Sequence, residues 1–236
     1  MSYPRRLSIP SALCALALIV AGCGSSSSSS SSGNGVESKS PDQILTASKE
    51  AASKAASVHI NGTITSEGKP ISLDMELLAG KGGKGTISQE GFKIKLVQVG
   101  GSVYINGSSA FYKHVAGTAA AQLLQGKWLK APADSGELAS LAELTDLGKL
   151  IDTALSDHGT LAKAPATTIN GQKAVGLKDT TKGGVLYVST TGSPYPLEIT
   201  KAGKETGSVK LEDWNKQVTL TAPAGAIDIS QLQKAG

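Results

Sequence analysis

From Ser57 onward apolar and polar residues alternate, and this pattern limits the possible folds more than any other feature of the chain. Alternate side chains of an extended strand point to opposite faces, so the pattern predicts strands with one apolar and one polar face. Glycine-rich turns at 80–85 and 100–101 separate the runs, as in antiparallel strands that follow one another directly. The alternating apolar residues are Val58, Ile60, Ile64, Ile71, Leu73, Met75, Leu77, Phe92, Ile94, Leu96, Val103 and Ile105.

Further runs of the same kind bring the predicted total to about eleven strands. They are predicted at 86–89, 162–169, 172–179, 185–190, 197–201, 207–214 and 217–221, with two shorter candidates at 110–115 and 127–130. The predicted helices come early and in the middle of the chain instead of between every pair of strands. This order excludes a repeated βαβ arrangement and favours the α+β class.

Helix signals mark three or four segments. Ser40 can cap a helix that starts at Pro41, Gln43 completes a capping box, and the helix is expected to reach about Ala56. Weaker helices are predicted at 118–125 and 135–144. The clearest helix has Thr145 or Asp146 as its cap. It is the clearest because its apolar residues follow the spacing of one helix face. These residues are Leu147, Leu150, Ile151, Ala154 and Leu155.

The first 23 residues read as an export signal. Arg5 and Arg6 precede an apolar run of about a dozen residues, which is shorter than the roughly 20 needed to span a bilayer. The run ends in Leu18-Ile19-Val20-Ala21-Gly22-Cys23. This ending resembles the bacterial lipobox, whose cysteine is lipidated and becomes the mature N-terminus. The other interpretation is a secreted protein with a chance cysteine.

The segment that follows is low in complexity. Ser25–Ser32 is an unbroken serine run, and such a polar sequence predicts a flexible linker with no packed core. We therefore divide the chain into a lipoprotein signal peptide at 1–22, a lipidated Cys23 with a Ser-rich disordered linker at 23–39, and a single domain at 40–236. Cys14 lies in the signal, so no disulfide is expected within the mature chain.

A set of short motifs, in this order and behind the lipobox, resembles the actinobacterial LppX/LprG-type lipoproteins, whose fold is LolA-like. The motifs are Ala55-Ala56-Ser57-Val58-His59-Ile60, Val99-Gly100-Gly101-Ser102-Val103-Tyr104-Ile105, Gly126-Lys127-Trp128-Leu129, Val185-Leu186-Tyr187-Val188, Tyr195-Pro196-Leu197, Leu211-Glu212-Asp213-Trp214, Ala222-Pro223-Ala224 and Ile227-Asp228. The resemblance implies a strongly curved antiparallel half-barrel, covered on its concave side by helices, with an apolar cavity between them. It also implies binding and movement of acylated lipids or glycolipids. It assigns a role to one residue, Cys23, which would be lipidated.

Aliphatic side chains on the apolar strand face and on the clearest helix are the candidates for the cavity wall. They are Ile60, Ile64, Leu73, Met75, Leu77, Ile94, Leu96, Val103, Ile105, Leu147, Leu150 and Ile151. The same residues would equally build a closed, solid core. The volume between sheet and helices distinguishes the two, and a void beyond roughly 1,000 Å³, the upper limit of ordinary small-ligand pockets, would favour lipid.

Other chemistry finds no support in the sequence. Both arginines lie in the leader, and the remaining 21 lysines are scattered among 19 acidic residues, which argues against a nucleic-acid partner. The stretch Gly80–Thr86 lacks the Gly-Lys-Ser/Thr ending of a phosphate loop and fits a hairpin turn. His59, His114 and His158 are far apart, so we expect no metal, no other cofactor and no catalytic set.

The sequence thus predicts an extracytoplasmic lipoprotein, held on the outer face of the cell membrane by Cys23, that binds and transfers acylated lipids and is not an enzyme. The alternative is an envelope interaction or sensing module with a filled core, whose partner is an envelope protein.

Overall fold

The structure is a computed structural model that describes residues 33–134, 138–203 and 206–234. The predicted signal peptide, Cys23 and the linker up to residue 32 lie outside the described residues, as do the first residues of the helix predicted at 135–144. The described residues belong to one compact unit that contains the whole sheet, so a chain that starts at residue 33 keeps every described element.

Twelve strands of the described chain form a single open, strongly curved sheet. They are β1 Ser57–Ser66, β2 Lys69–Leu78, β3 Gly82–Gln89, β4 Phe92–Val99, β5 Ser102–Gly107, β6 Leu129–Pro132, β7 Leu161–Ile169, β8 Gln172–Asp179, β9 Val185–Ser189, β10 Pro196–Lys201, β11 Gly207–Glu212 and β12 Ile227–Asp228. The order across the sheet is β12-β6-β5-β4-β3-β2-β1-β11-β10-β9-β8-β7. Every pairing is antiparallel except that of β12 with β6, so the sheet is mixed and has one strand more than expected.

Two meanders, β1–β5 and β7–β11, are joined where the first strand of one pairs with the last strand of the other. His59 lies opposite Glu212 in this β1–β11 pairing, and Ile60 lies opposite Leu211. The curved, helix-covered α+β sheet predicted from the sequence is confirmed at the level of the fold class.

Five α-helices and a short 3-10 helix accompany the described strands. They are the 3-10 helix Val36–Ser38, α1 Pro41–Ser53, α2 Ser109–Leu124, α3 Ala139–Glu143, α4 Leu147–Ser156 and α5 Ile229–Lys234. The capping box predicted for α1 is present, since Ser40 accepts a hydrogen bond from the Gln43 N–H and Gln43 accepts one from the Ser40 N–H. The helix ends at Ser53, earlier than expected.

The folded domain begins before residue 40, where we placed its boundary. Gly33 forms a bridge with Thr191, and the Asn34 side chain donates to the carbonyl oxygen of Ser189 at 3.0 Å. Val36 is only 2% exposed and belongs to the hydrophobic core. Residues 33–39 are therefore part of the domain and not of a linker.

Two predicted strands are wrong. Residues 110–115 begin α2, because Ser108 caps a helix there by accepting a hydrogen bond from the Phe111 N–H, and the helix continues through a kink at Gly117. Residues 217–221 pair with no strand, because both edges of the preceding β11 are already occupied by β1 and β10. This segment instead leads toward β12 and receives a hydrogen bond from Lys84 on the carbonyl oxygen of Thr219.

Candidate ligand cavity

A cavity of about 830 Å³ lies between the apolar face of the sheet and helices α3 and α4. Strands β1, β2, β3, β10 and β11 form its floor, and the two helices supply the rest of its wall. The lining residues are Ile60, Ile64, Leu73, Met75, Ile87, Ser140, Glu143, Leu144, Lys149, Leu150, Asp152, Thr153, Ala154, Asp157, Ile199, Lys201, Gly207, Val209 and Leu211.

The floor is a continuous aliphatic surface because the strand register aligns apolar positions across the sheet. Leu73 lies opposite Ile87 on one side and Gly62 on the other, Gly62 lies opposite Val209, and Val209 lies opposite Ile199. Directly opposed residues share one face of a sheet, so this row forms a strip from β3 to β10. Polar side chains at the alternate positions point to the other face.

Glycine makes part of the floor shallow. A Cβ atom added at Gly207 would lie 2.5 Å from the carbonyl oxygen of Thr63 and 2.7 Å from the Cα atom of Ile64. Strands β1 and β11 therefore approach too closely at this point for any side chain, and the backbone itself lines the cavity there. Position 207 therefore adds no side chain to the floor.

Helix α4 separates the hollow part of the interior from the filled part. Its residues Leu147, Ile151 and Leu155 are buried in the core, whereas Leu150 and Ala154 line the cavity. The Asp146 carboxylate caps the helix by accepting from the Lys149 N–H at 3.1 Å. Thr145, just before the cap, is fully buried and donates to the Ala142 carbonyl at 2.7 Å, and it also contacts Gln98 of β4.

Charged residues line the cavity near α3 and α4. Lys149 lies 3.5 Å from the Glu143 carboxylate, and Asp157 forms an ion pair with Lys182. The hydrogen bond from Lys182, followed by the positive charges of Lys182 and Lys201, lowers the pKa of Asp157. The cavity thus combines an aliphatic floor with ionised groups, which is the arrangement that an amphiphilic molecule would match.

The structure separates the predicted wall residues into two groups. Five of them line the cavity: Ile60, Ile64, Leu73, Met75 and Leu150. Seven do not line it. Leu77, Leu96, Val103, Ile105, Leu147 and Ile151 are buried in the core, and the partly buried Ile94 packs against the core. The reason is that the β4–β6 part of the apolar face is filled by protein side chains, whereas the face near β11 is not.

The wall residues that the sequence did not indicate come mainly from other strands. Ile87, Ile199, Val209 and Leu211 all line the cavity. Their alternation with polar neighbours was visible in the sequence. Ile87 lies opposite Leu73 in the β2–β3 hairpin. The positions of Ile199, Val209 and Leu211 on the floor required the pairing of β1 with β11, two strands far apart in the chain, and no local signal reports that pairing.

The glycine-rich stretch and the three histidines lie in strands, turns, a helix and a loop outside the cavity. Gly80–Thr86 forms a turn and the first part of β3, and His59 lies on the polar face of the sheet, 2.8 Å from Asp74. The His114 ring lies 5.0 Å from the Phe92 ring and is tilted by 30° relative to it, and the His158 ring is 2.9 Å from the Gly159 carbonyl. Within the described ranges, no three His, Cys, Asp or Glu side chains are grouped to hold a metal ion. None of the helices searched there has the length and apolar character required to cross a bilayer.

Known proteins give a comparison at the level of the fold. No family model and no curated protein matches the sequence. The crystal structure of LprF from Mycobacterium bovis superposes with a TM-score of 0.53 at 14% identity, over 78% of this chain and 97% of that one. The expected LppX/LprG-type, LolA-like fold is confirmed. The structure of the lipoprotein LppX from Mycobacterium tuberculosis gives a TM-score of 0.48 at 17% identity, over 76% of this chain and 99% of that one.

Proposed function

We propose that this protein is a membrane-anchored extracytoplasmic lipoprotein that binds an acylated lipid in the cavity and exchanges it with membranes. The observation that carries the proposal is the cavity itself, an aliphatic space of about 830 Å³ bordered by charged residues. A globular core is normally packed without such voids, so an apolar hollow of this size points to a ligand.

The volume limits what the cavity can hold. It lies below the roughly 1,000 Å³ above which size alone would indicate lipid, so the aliphatic lining is the stronger argument. A methylene group occupies about the space of a water molecule, roughly 30 Å³, so the cavity has room for about 28 carbon atoms. One long acyl chain fits, or two short ones, with the headgroup beside the charged residues.

The energetics suit a carrier. Burial of each methylene group in the cavity contributes about 0.8 kcal/mol relative to water, and burial in a bilayer contributes about the same. An acyl chain therefore moves between membrane and cavity with little net change in free energy. No catalytic step is needed, and the direction of movement follows the supply of lipid.

Attachment of the protein to the outer face of the cell membrane rests on Cys23. Two or three acyl chains on this residue would hold the protein permanently, since a single chain gives only marginal binding. The alternative function, an envelope interaction or sensing module with an envelope protein as its partner, predicts a filled core. The open part of the interior beside β1 and β11 favours the lipid carrier.

Two valines on opposite faces of the sheet provide the test. Val209 lies on the cavity floor. Val97 lies on the polar face of β4, opposite Lys84 of β3 and Tyr104 of β5. Both valines are partly buried. Val209→Asp places a carboxylate where the acyl chain would lie, whereas Val97→Asp makes the same change away from the cavity. Residues 33–236 are purified with each change, and folding is checked by circular dichroism.

Organic extracts and native mass spectra report bound lipid, and transfer of a fluorescent acyl phospholipid between vesicles reports exchange. We expect wild type and Val97→Asp to carry and transfer lipid, and Val209→Asp to lose at least about tenfold in transfer, since a buried unpaired charge is strongly unfavourable. Absence of both lipid and transfer in the wild type would reject the proposal. So would equal transfer by two folded variants.

A further inference from the structure

Helix α2 begins at the end of a row of residues that starts on the cavity floor. Leu73 of the floor lies opposite Ile87, Ile87 lies opposite Ile94, and Ile94 lies opposite Gly107, the last residue of β5. The helix follows after Ser108 and returns the chain to β6. It is thus attached to the same end of the strands as the cavity residues Ile87 and Leu73.

The orientation of α2 is set by its buried side. Tyr112, Ala121 and Leu124 are buried in the core, and the Tyr112 hydroxyl accepts a hydrogen bond from the Gly107 N–H at 2.9 Å. A left-handed backbone at Gly117, with φ of 86°, kinks the helix between its two halves. These contacts hold each half of the helix against the domain and so define an outer side.

The outer side of α2 carries exposed aliphatic side chains. Val115 is 57% exposed and Leu123 is 66% exposed, and the residues between them include the exposed Ala116 and Ala119. Among the described residues, the one other large apolar side chain with comparable exposure is Leu144, which lines the cavity. The exposed apolar surface is therefore concentrated on α2 and at the cavity wall.

The stretch of chain that contains α2 carries charge of one sign, although Asp228 of β12 lies opposite Lys130 of β6. Residues 91–133 contain no Asp or Glu but five lysines and one histidine, namely Lys93, Lys95, Lys113, His114, Lys127 and Lys130. Lys113 lies on α2, Lys127 follows it, and the backbone of Lys93 is hydrogen-bonded to Ser108, the cap of α2. Glu90, the acidic residue just before this stretch, is 2.8 Å from Lys69.

We propose that α2 is a membrane-docking element that binds bilayers with anionic headgroups. Aliphatic side chains beside lysines match a lipid surface, in which the apolar groups enter the acyl boundary and the ammonium groups meet lipid phosphates. A protein partner fits less well, since interface centres are rich in aromatic residues and the outer side of α2 has Val115, Leu123 and alanines. This inference goes beyond the lipid-binding proposal, because docking does not require that the cavity hold lipid.

The test uses residues 33–236, which lack the lipid anchor, in flotation with vesicles of phosphatidylcholine alone or mixed with phosphatidylglycerol. The double variant Val115→Asp/Leu123→Asp is compared with wild type and with the polar-face control Val97→Asp. We expect wild type and control to bind the mixed vesicles, with binding lowered by salt and by removal of phosphatidylglycerol. The double variant should bind at least about tenfold less.

Native mass spectrometry separates this inference from the proposed function. The double variant should keep its bound lipid, because neither substituted residue lines the cavity, and only vesicle association should fall. Vesicle binding that is equal in wild type and double variant would overturn the docking role of α2. The docking role would also be overturned if the wild type does not bind vesicles but associates with itself, and if Leu123→Asp abolishes that self-association. The outer side of α2 would then be a contact between protein molecules.

Discussion

Two leucines of β2 distinguish a hollow interior from a solid one through their effects on stability. Leu77 is fully buried, and its Cδ2 atom would lie 2.7 Å from a Cβ atom added at Gly83. Leu73 points to the same face four residues earlier but lines the cavity and is only partly buried. The same change, leucine to alanine, therefore removes the same atoms from a packed and from a hollow environment.

The expected magnitudes differ. Leu77→Ala loses the transfer free energy of three carbon atoms and also leaves a new void, so the free energy of unfolding should fall by about 3 kcal/mol. Leu73→Ala removes atoms that already border empty space and have partial contact with water. Without a new void its cost should be about 1 kcal/mol. In a domain of this size these values correspond to decreases in Tm of roughly 6–12 °C and 2–4 °C.

Urea unfolding of residues 33–236, followed by circular dichroism after removal of bound lipid, measures both values under one condition. The control is the wild type treated in the same way. Equal destabilisation by the two substitutions would mean that the wall around Leu73 is packed as tightly as the core around Leu77. The interior would then be closed in solution, and the argument for a ligand cavity would fail.

Three further predictions concern other parts of the chain. The Asp179 carboxylate accepts hydrogen bonds from the N–H groups of Gly159, Lys182 and Thr181, and these bonds lower its pKa below the ordinary value of 3.8. The ionised Asp179 therefore stabilises the folded state above that value, and this contribution is lost as the pH falls through the lower folded pKa. Asp179→Asn should flatten the acid side of a plot of Tm against pH. The control Asp134→Asn, at an exposed position, should not. Tyr112→Phe should lower the free energy of unfolding by about 1–3 kcal/mol in urea titrations, because the buried N–H of Gly107 loses its acceptor. Cys23→Ser should move the full-length protein out of the membrane fraction and remove the mass of the acyl chains from its N-terminal peptide, and an unchanged distribution and mass would contradict lipidation.

Much of the fold was predictable because its signals are local. The capping box at Ser40 and the apolar stripe on α4 depend on residues within a few positions of one another, and both helices are present. The strands β2 and β3 follow from alternation in the same way, although β3 begins at Gly82, inside the stretch predicted as a turn. Errors arose where local and long-range information disagree. Residues 217–221 alternate like a strand, but no edge of the sheet is free beside β11.

The cavity could be predicted only in part, for a related reason. Alternation shows that Leu73 and Leu77 share the apolar face of β2, but it does not show that one borders a void and the other is packed. That difference depends on α4, whose Leu147 and Ile151 enter the core, and on the pairing of β1 with β11. The outward side of α2 is not predictable in this way, because the sequence pattern of residues 110–115 favours a strand.

The sequence by itself determined the fold class, through alternating strands with glycine turns and capped helices. Each of these properties is encoded by neighbouring residues, so it survives without knowledge of the fold. Only the tertiary structure decided which part of the apolar face is filled and which part stays hollow. Packing is set by contacts between segments far apart in the chain, and the pairing of β1 with β11 and the position of α4 create those contacts.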